Sequence, residues 1–250
     1  MTKFKGTIGR TLADSKPYFE ERPHPGVGAP NVVFVLLDDT GFAQLGCYGS
    51  DIDTPNINKL AAGGVQFTNF HVTPVCSPTR AALLTGRSQH AVGMRGLSGW
   101  VTGFPNATGK ISNSAATIAE VLRDEGYATL CAGKWHLNPG TEISAAGPFD
   151  QWPLGRGFER FYGFLPGETD QFSPELVRDN THIDPPATPE EGYHLSEDLV
   201  DQLLKMINDN KGLRPDRPFF AYLPFGATHA PHQAPQEYLD KYRGRYDEGW

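Results

Sequence analysis

The sequence predicts an α/β protein: a largely parallel or mixed central sheet flanked by helices. Three observations carry that prediction. Apolar runs of strand length recur at 31–37, 127–132 and 218–225, and helix patterns with recognisable starts and stops lie between them. Each run also ends in a polar cluster: Asp38-Asp39, Lys134 with His136, and His229. Ligands of open α/β sheets bind beyond the carboxyl ends of the strands, so a parallel arrangement would gather these clusters at one edge.

Residues 1–30 are rich in charge, proline and glycine and predict an extended arm. Asn31 to Leu37 is apolar without alternation, which predicts a central strand covered on both faces. Two adjacent carboxylates at its end, Asp38 and Asp39, are candidate ligands for a hard cation. Thr54-Pro55-Asn56 starts a short helix with Thr54 as cap, and Gly63-Gly64 stops it. Val65 to Val72 then has β-like composition.

The stretch Pro74 to Arg87 follows. Pro78 suits a first helical turn, and Ala81-Ala82-Leu83-Leu84 continues the helix to Gly86. Cys76 is thereby set at a helix N-terminus, where unpaired N–H groups favour an anion, and Arg80 can project from the same turn. That combination suggests a nucleophile beside a negatively charged group.

Residues 88–114 read as a long loop across the mouth of a site, with Trp100 and Phe104 as candidate walls. Thr117 to Glu120 has capping-box spacing and opens a helix that Gly126 closes. Tyr127 to Ala132 is the next strand. It delivers Lys134 and His136 to one side and Trp135 to the other, by alternation. Residues 137–192 read as loop, and Asp179-Asn180 within them lacks an apolar strand leading in. Ser196 is the expected cap of a helix whose Leu199, Val200, Leu203, Leu204 and Ile207 face the core. Pro218 to Phe225 is a strand leading to His229, and Gln236 to Tyr242 is helix-like. His232 is too closely framed by Pro231 and Pro235 to share a helical metal site with His229.

Composition narrows the function classes. A net charge of -7 leaves no basic face for nucleic acid, although a small anion needs only local cations. Cys47, Cys76 and Cys131 are odd in number and widely spaced, so neither a disulfide framework nor a zinc motif is indicated. A single Cys47–Cys131 pair stays open. No apolar run approaches a membrane span, and the chain reads as cytoplasmic. With 28 glycines and 21 prolines, loops must carry much of the surface, and loops commonly carry sites.

Cys76-Ser77-Pro78-Thr79-Arg80 with Leu84-Thr85-Gly86-Arg87 resembles the signature of the type I sulfatases. The order of the other clusters is similar too: Asp-Asp after the first strand, Thr-Pro-Asn, Gly-Lys-Trp-His, and a histidine before Gln-Ala-Pro. The likeness covers residues 31–250 and is greatest to bacterial arylsulfatases. It implies an alkaline-phosphatase-like fold and hydrolysis of a small-molecule sulfate ester. It further implies that a formylglycine-generating enzyme converts Cys76 to formylglycine, whose hydrate supplies the nucleophilic oxygen and one oxygen to a divalent cation. The cation is most often calcium, with magnesium or manganese as alternatives. By the same resemblance Asp38, Asp39 and modified Cys76 bind the metal, and Arg80 holds the hydrate. Lys134 contacts hydrate and sulfate, His136 takes the proton that lets the aldehyde re-form, and His229 faces the leaving-group oxygen. Family members continue past this point with a second Asp-Asn pair and a further lysine, so 31–250 reads as the N-terminal part of a catalytic domain with an incomplete site. Phosphonate monoester or phosphodiester hydrolysis and a non-catalytic anion- or partner-binding fragment are the competing readings. The sequence is silent on oligomeric state.

Overall fold

The structure, a computed structural model, describes residues 4–20 and 23–246. The rest of the expected arm, 1–3 and 21–22, and the end of the polar tail, 247–250, lie outside the described residues. Among the described residues six strands form one mixed sheet: β1 (Val32–Leu36), β2 (Ala128–Lys134), β3 (Arg160–Phe164), β4 (Leu176–Arg178), β5 (Thr181–Ile183) and β6 (Phe219–Pro224). Their spatial order is β1-β6-β2-β3-β4-β5. The first four in that order run parallel, and β4 and β5 add an antiparallel hairpin. Among the described residues five α-helices accompany them: α1 (Pro55–Ala62), α2 (Cys76–Thr85), α3 (Ile118–Asp124), α4 (Leu195–Leu213) and α5 (Gln236–Lys241).

Strand alternation sends neighbouring side chains into two cores. Cys131, Phe161, Phe220 and Tyr222 face one, which Ala81 and Leu84 of α2 and Ala119 of α3 close. Leu130, Ala132, Phe164 and Leu223 face the other, closed by Leu195, Leu199, Leu203 and Met206 of α4. Each buried Leu or Phe is worth roughly 1.5–3 kcal/mol, so α2 and α4 are held by the sheet. In contrast, α1 buries no residue, and polar contacts fix its start: Thr54 Oγ1 accepts the Gly46 N–H at 2.9 Å and lies 3.0 Å from Asn58 Oδ1. Thr54 therefore holds the N-cap position, its carbonyl accepting the Asn58 N–H at 2.9 Å, while its side chain makes no capping bond.

Several expectations change. In β1, Val32, Phe34 and Leu36 pack on the first core, whereas Val33 and Val35 are 51% and 57% exposed. Among the described residues β1 pairs only with β6, and α4 lies over β2, β3 and β6, so the outer face stays open. Residues 65–72 form no strand. Their apolar side chains, Val65, Phe67, Phe70 and Val72, are exposed, because β composition is favourable only against a partner strand. Residues 137–192 hold β3, β4 and β5 rather than loop alone. The interruption that hid β3 is Gly163, where a Cβ would overlap the Gly133 carbonyl. His194, not Ser196, caps α4, its Nδ1 accepting the Ser196 N–H at 3.3 Å. At α3 the capping box forms, with Thr117 accepting from Glu120 N and the Glu120 carboxylate from Thr117 N. All three thiols are free, and Cys131 is wholly buried in β2. Described residues 4–20 and 23–30 show no helix or strand, only the bridge Thr7–Lys16.

Gly133 sits at φ 137°, where a Cβ would run into the Pro224 carbonyl of β6. Gly133→Ala should lower stability by about 1–3 kcal/mol, as overpacking does. A urea midpoint equal to that of the parent would refute the close approach.

Candidate active site

The carboxyl ends of β1, β2 and β6 and the start of α2 meet at one edge of the sheet. Asp38 leaves β1 almost wholly buried, and the chain there is stitched to the β6 end: Asp38 N–H donates to Ala227 O at 3.0 Å and Thr228 N–H to Asp38 O at 2.7 Å. From β2, Lys134 Nζ donates to Asp38 Oδ2, the lysine side chain fully buried and the carboxylate nearly so. Arg80, one turn into α2 and 1% exposed, places NH2 3.3 Å from Asp38 Oδ1 and donates from NH1 to the Lys134 carbonyl at 2.8 Å. One carboxylate is thus set against two cations, an excess of positive charge beside a helix N-terminus. Arg80 Nε and NH2 are buried without a hydrogen-bond acceptor, and so is Tyr222 Oη below them. NH2 nevertheless has its ion pair with Asp38, so among the described residues Nε is the guanidinium nitrogen with neither hydrogen bond nor ion pair.

Cys76 opens α2, half-buried, with Sγ 3.1 Å from His136 Nδ1. The expected division of the Lys134-Trp135-His136 segment occurs, by a different route. Trp135 turns into the core and donates from Nε1 to Gln151 O at 2.9 Å. His136 reaches Cys76 in a left-handed backbone conformation, φ 53°, held by its N–H bond to Leu165 O at 3.0 Å. A non-glycine residue in that region costs energy and clusters at functional sites. Burial, and then Lys134 and Arg80, push the His136 imidazole down to about 3, so it is neutral at ordinary pH and a weak base. The Cys131 thiol is pushed well up by burial and is inert.

His229 stands at the rim. Its Nε2 lies 3.7 Å from Asp39 Oδ2 and its Nδ1 3.8 Å from Glu168 Oε2. Nδ1 is also 2.7 Å from the Ala230 carbonyl, which assigns the proton to Nδ1 and turns Nε2 toward Asp39 and the site. Asp39, also left-handed at φ 57°, is exposed. As donors for a hard cation, Asp38 and Asp39 fit in kind but not in number. Asp38 is engaged by Lys134 and Arg80, and among the described residues no three His, Cys, Asp or Glu side chains group closely enough to hold a metal.

The structure therefore brings Cys76, Arg80, Lys134, His136 and Asp38 together and sets Asp39 and His229 at their edge. Asp179-Asn180 turns between β4 and β5, where Asp179 Oδ1 accepts Phe161 N–H at 2.9 Å, near the amino end of β3 and away from the site. The loop bearing Trp100 and Phe104 is pinned next to Cys76 by the Ser98 N–H to Ser77 Oγ bond of 3.2 Å, and both rings are exposed. Sequence reasoning missed Thr228, Gly167 and Glu168. Thr228 neighbours His229 and was within reach of a motif reading; Glu168 lies in an aperiodic loop that gave no signal. A cleft of about 1040 Å³ between Pro23–Ala29 and residues 213–218 lies at the opposite end of the sheet and holds none of these groups.

A family model described as Sulfatase matches residues 30–250. The chain belongs to the sulfatase family. Among curated sulfatases it is 36% identical to an uncharacterized sulfatase of Schizosaccharomyces pombe, over 88% of this chain and 41% of that one. It is 31% identical to an arylsulfatase of Klebsiella aerogenes, covering 88% and 47%, and 37% identical to human arylsulfatase A, covering 85% and 44%. The chain thus spans less than half the length of these sulfatases. The crystal structure of Ps i-CgsB superposes with a TM-score of 0.72 at 28% identity, over 86% of this chain and 48% of that one. Its fold is also that of a phosphonate monoester hydrolase of Agrobacterium radiobacter, TM-score 0.54 at 22% identity, over 85% and 44%.

Asp38→Ala would leave two buried cations facing one another, a change that costs about 3–5 kcal/mol when one partner of a buried pair is removed. Thermal or urea unfolding should show that loss; a variant within about 0.5 kcal/mol of the parent would contradict the buried triad.

Proposed function

We propose that this protein hydrolyses sulfate esters, aryl sulfates foremost, at the mouth formed by Cys76, Arg80, Lys134, His136 and His229. One observation supports this reading above the rest: a potential nucleophile at a helix start, a neutral imidazole 3.1 Å from it, and two buried cations set against one carboxylate share one site. Sulfate transfer calls for clamped oxygens, a placed nucleophile and relief of charge on the departing oxygen.

Cys76, oxidised by a formylglycine-generating enzyme, supplies a hydrated aldehyde as the nucleophilic group in place of a thiol. A divalent cation, calcium or alternatively magnesium or manganese, would take Asp38 and Asp39 as carboxylate ligands and supply neutralising charge; further oxygens must complete its shell. The remaining work falls to the chain's own side chains. Arg80 and the N–H groups of the α2 start hold negative charge at position 76. Lys134 lies between Asp38 and the anion and balances both. His136 stands as the acceptor at Nδ1 for the proton of position 76; its basicity, lowered by burial and by Lys134 and Arg80, has to rise when a bound anion offsets those cations. His229, with one proton held at Nδ1 by the Ala230 carbonyl, presents Nε2 to the leaving-group side and must carry a second proton there to donate it to the departing oxygen. Trp100 and Phe104, on the loop tied to Ser77, supply apolar walls for an aromatic leaving group.

The tryptic peptide Leu60 to Arg80, from protein made in a host able to modify it, should carry the aldehyde mass at position 76. Unmodified thiol from the native host would remove the proposed nucleophile. Cys76→Ala should then reduce aryl sulfate turnover by at least about 10³-fold, as loss of a nucleophile does. Matched sulfate and phosphonate esters of one phenol, compared by kcat/KM, should favour the sulfate; a preference for the phosphonate would move the assignment to phosphonate hydrolysis.

A further inference from the structure

We propose that Gln233 is a positioning residue whose amide clamps together the two loops that flank the reacting groups, holding His136 and His229 at one mouth. This rests on reading that mouth as the hydrolytic site. The two histidines leave different strands. His136 follows β2 and is walled by the loop after β3: a Cβ on Gly167 would stand 2.8 Å from His136 Cε1. His229 follows β6, and Glu168 of the β3 loop places Oε2 3.8 Å from its Nδ1. The mutual placement of the histidines therefore depends on how the loop after β3 meets the loop after β6.

Gln233 makes that junction with both ends of its side chain. Its Oε1 accepts the Gln171 N–H at 2.7 Å, and its Nε2 donates to Asp170 Oδ2 at 2.7 Å. Asp170 is itself fixed within its loop, Oδ1 accepting Phe172 N–H at 2.8 Å and Ser173 N–H at 2.7 Å. Gln171 is buried, and its carbonyl accepts the Leu195 N–H at 2.8 Å, which ties the clamp to the start of α4. On the other side the Gln233 carbonyl lies 3.3 Å from His194 Nε2. An amide is the group this junction requires, because one partner is an N–H donor and the other an acceptor-only carboxylate. The Gln233 side chain bonds to the β3 loop and not to Cys76, Lys134 or Arg80, so its influence on them runs through loop position.

The chemistry of the junction gives a test by exchange of partners. Gln233→Glu puts a carboxylate against Asp170. Asp170→Asn combined with Gln233→Glu restores the pair with its polarity reversed: the new amide at position 170 donates to the new carboxylate at position 233, while the amide oxygen still accepts from Phe172 and Ser173. In the modified protein, Gln233→Glu should speed hydrogen exchange in the peptide spanning 165–175 by about tenfold and lower kcat for an aryl sulfate about tenfold, with KM within about twofold. The double variant should recover both. Parent-like exchange and kcat in Gln233→Glu, or a double variant no better than the single, would overturn the clamp. Gln233→Ala, which adds no charge, decides the question if Gln233→Glu does not fold. If the parent itself turns over no sulfate ester, the hydrolytic reading fails while the exchange measurements still judge the clamp.

Discussion

The buried carboxylate of Asp38 is the constraint on which the rest of the site depends. Strands β1 and β2 are not neighbours, since β6 runs between them, yet Lys134 reaches across to Asp38 and Arg80 meets the same group from α2. Three elements distant in sequence are thereby fixed by one charge. Such a cluster is weak evidence of stability, because desolvating three ions costs as much as their attraction returns. Its benefit is positional: a second cation has nowhere to relax, and the excess charge is directed toward the N-terminus of α2. An anion arriving at Cys76 meets donors already oriented for it, with little reorganisation left to perform.

Much of this was legible in the sequence, for a physical reason. Asp38, Lys134 and His229 each follow an apolar run, and the carboxyl ends of parallel strands necessarily share an edge. Cys76 and Arg80 were readable because Pro78 and Gly86 punctuate their helix. What escaped was whatever depended on partners distant in the chain. The Val65 to Val72 stretch has strand composition and no strand beside it. Arg160 to Phe164 is a strand that Gly163 disguises, since the residue that looks like a breaker is the one the neighbouring backbone demands. Glu168 and Gln233 act across a gap between two loops, and no local pattern announces a contact so far along the chain.

The left-handed conformations of Asp39 and His136 fit the same picture. Asp39 lies three residues past the end of β1 and His136 two past the end of β2, where the backbone turns away from the pleat. Hydrogen bonds from neighbouring loops hold each turn: His136 N–H to Leu165 O, and the paired bonds between Asp38 and residues 227–228. The strain is local, and the sheet carries it.

The parallel strands have a further consequence. Groups that would act on a sulfate are fixed by the sheet and α2, whereas Trp100 and Phe104 stand exposed on a loop whose flanks, through Val92, Met94 and Ile111, belong to the first core. This loop and the one after β3 therefore differ in freedom. Side chains around Trp100 and Phe104 can change without touching the charge cluster, whereas the loop after β3 is bound to it, since Gly167 and Glu168 stand against His136 and His229.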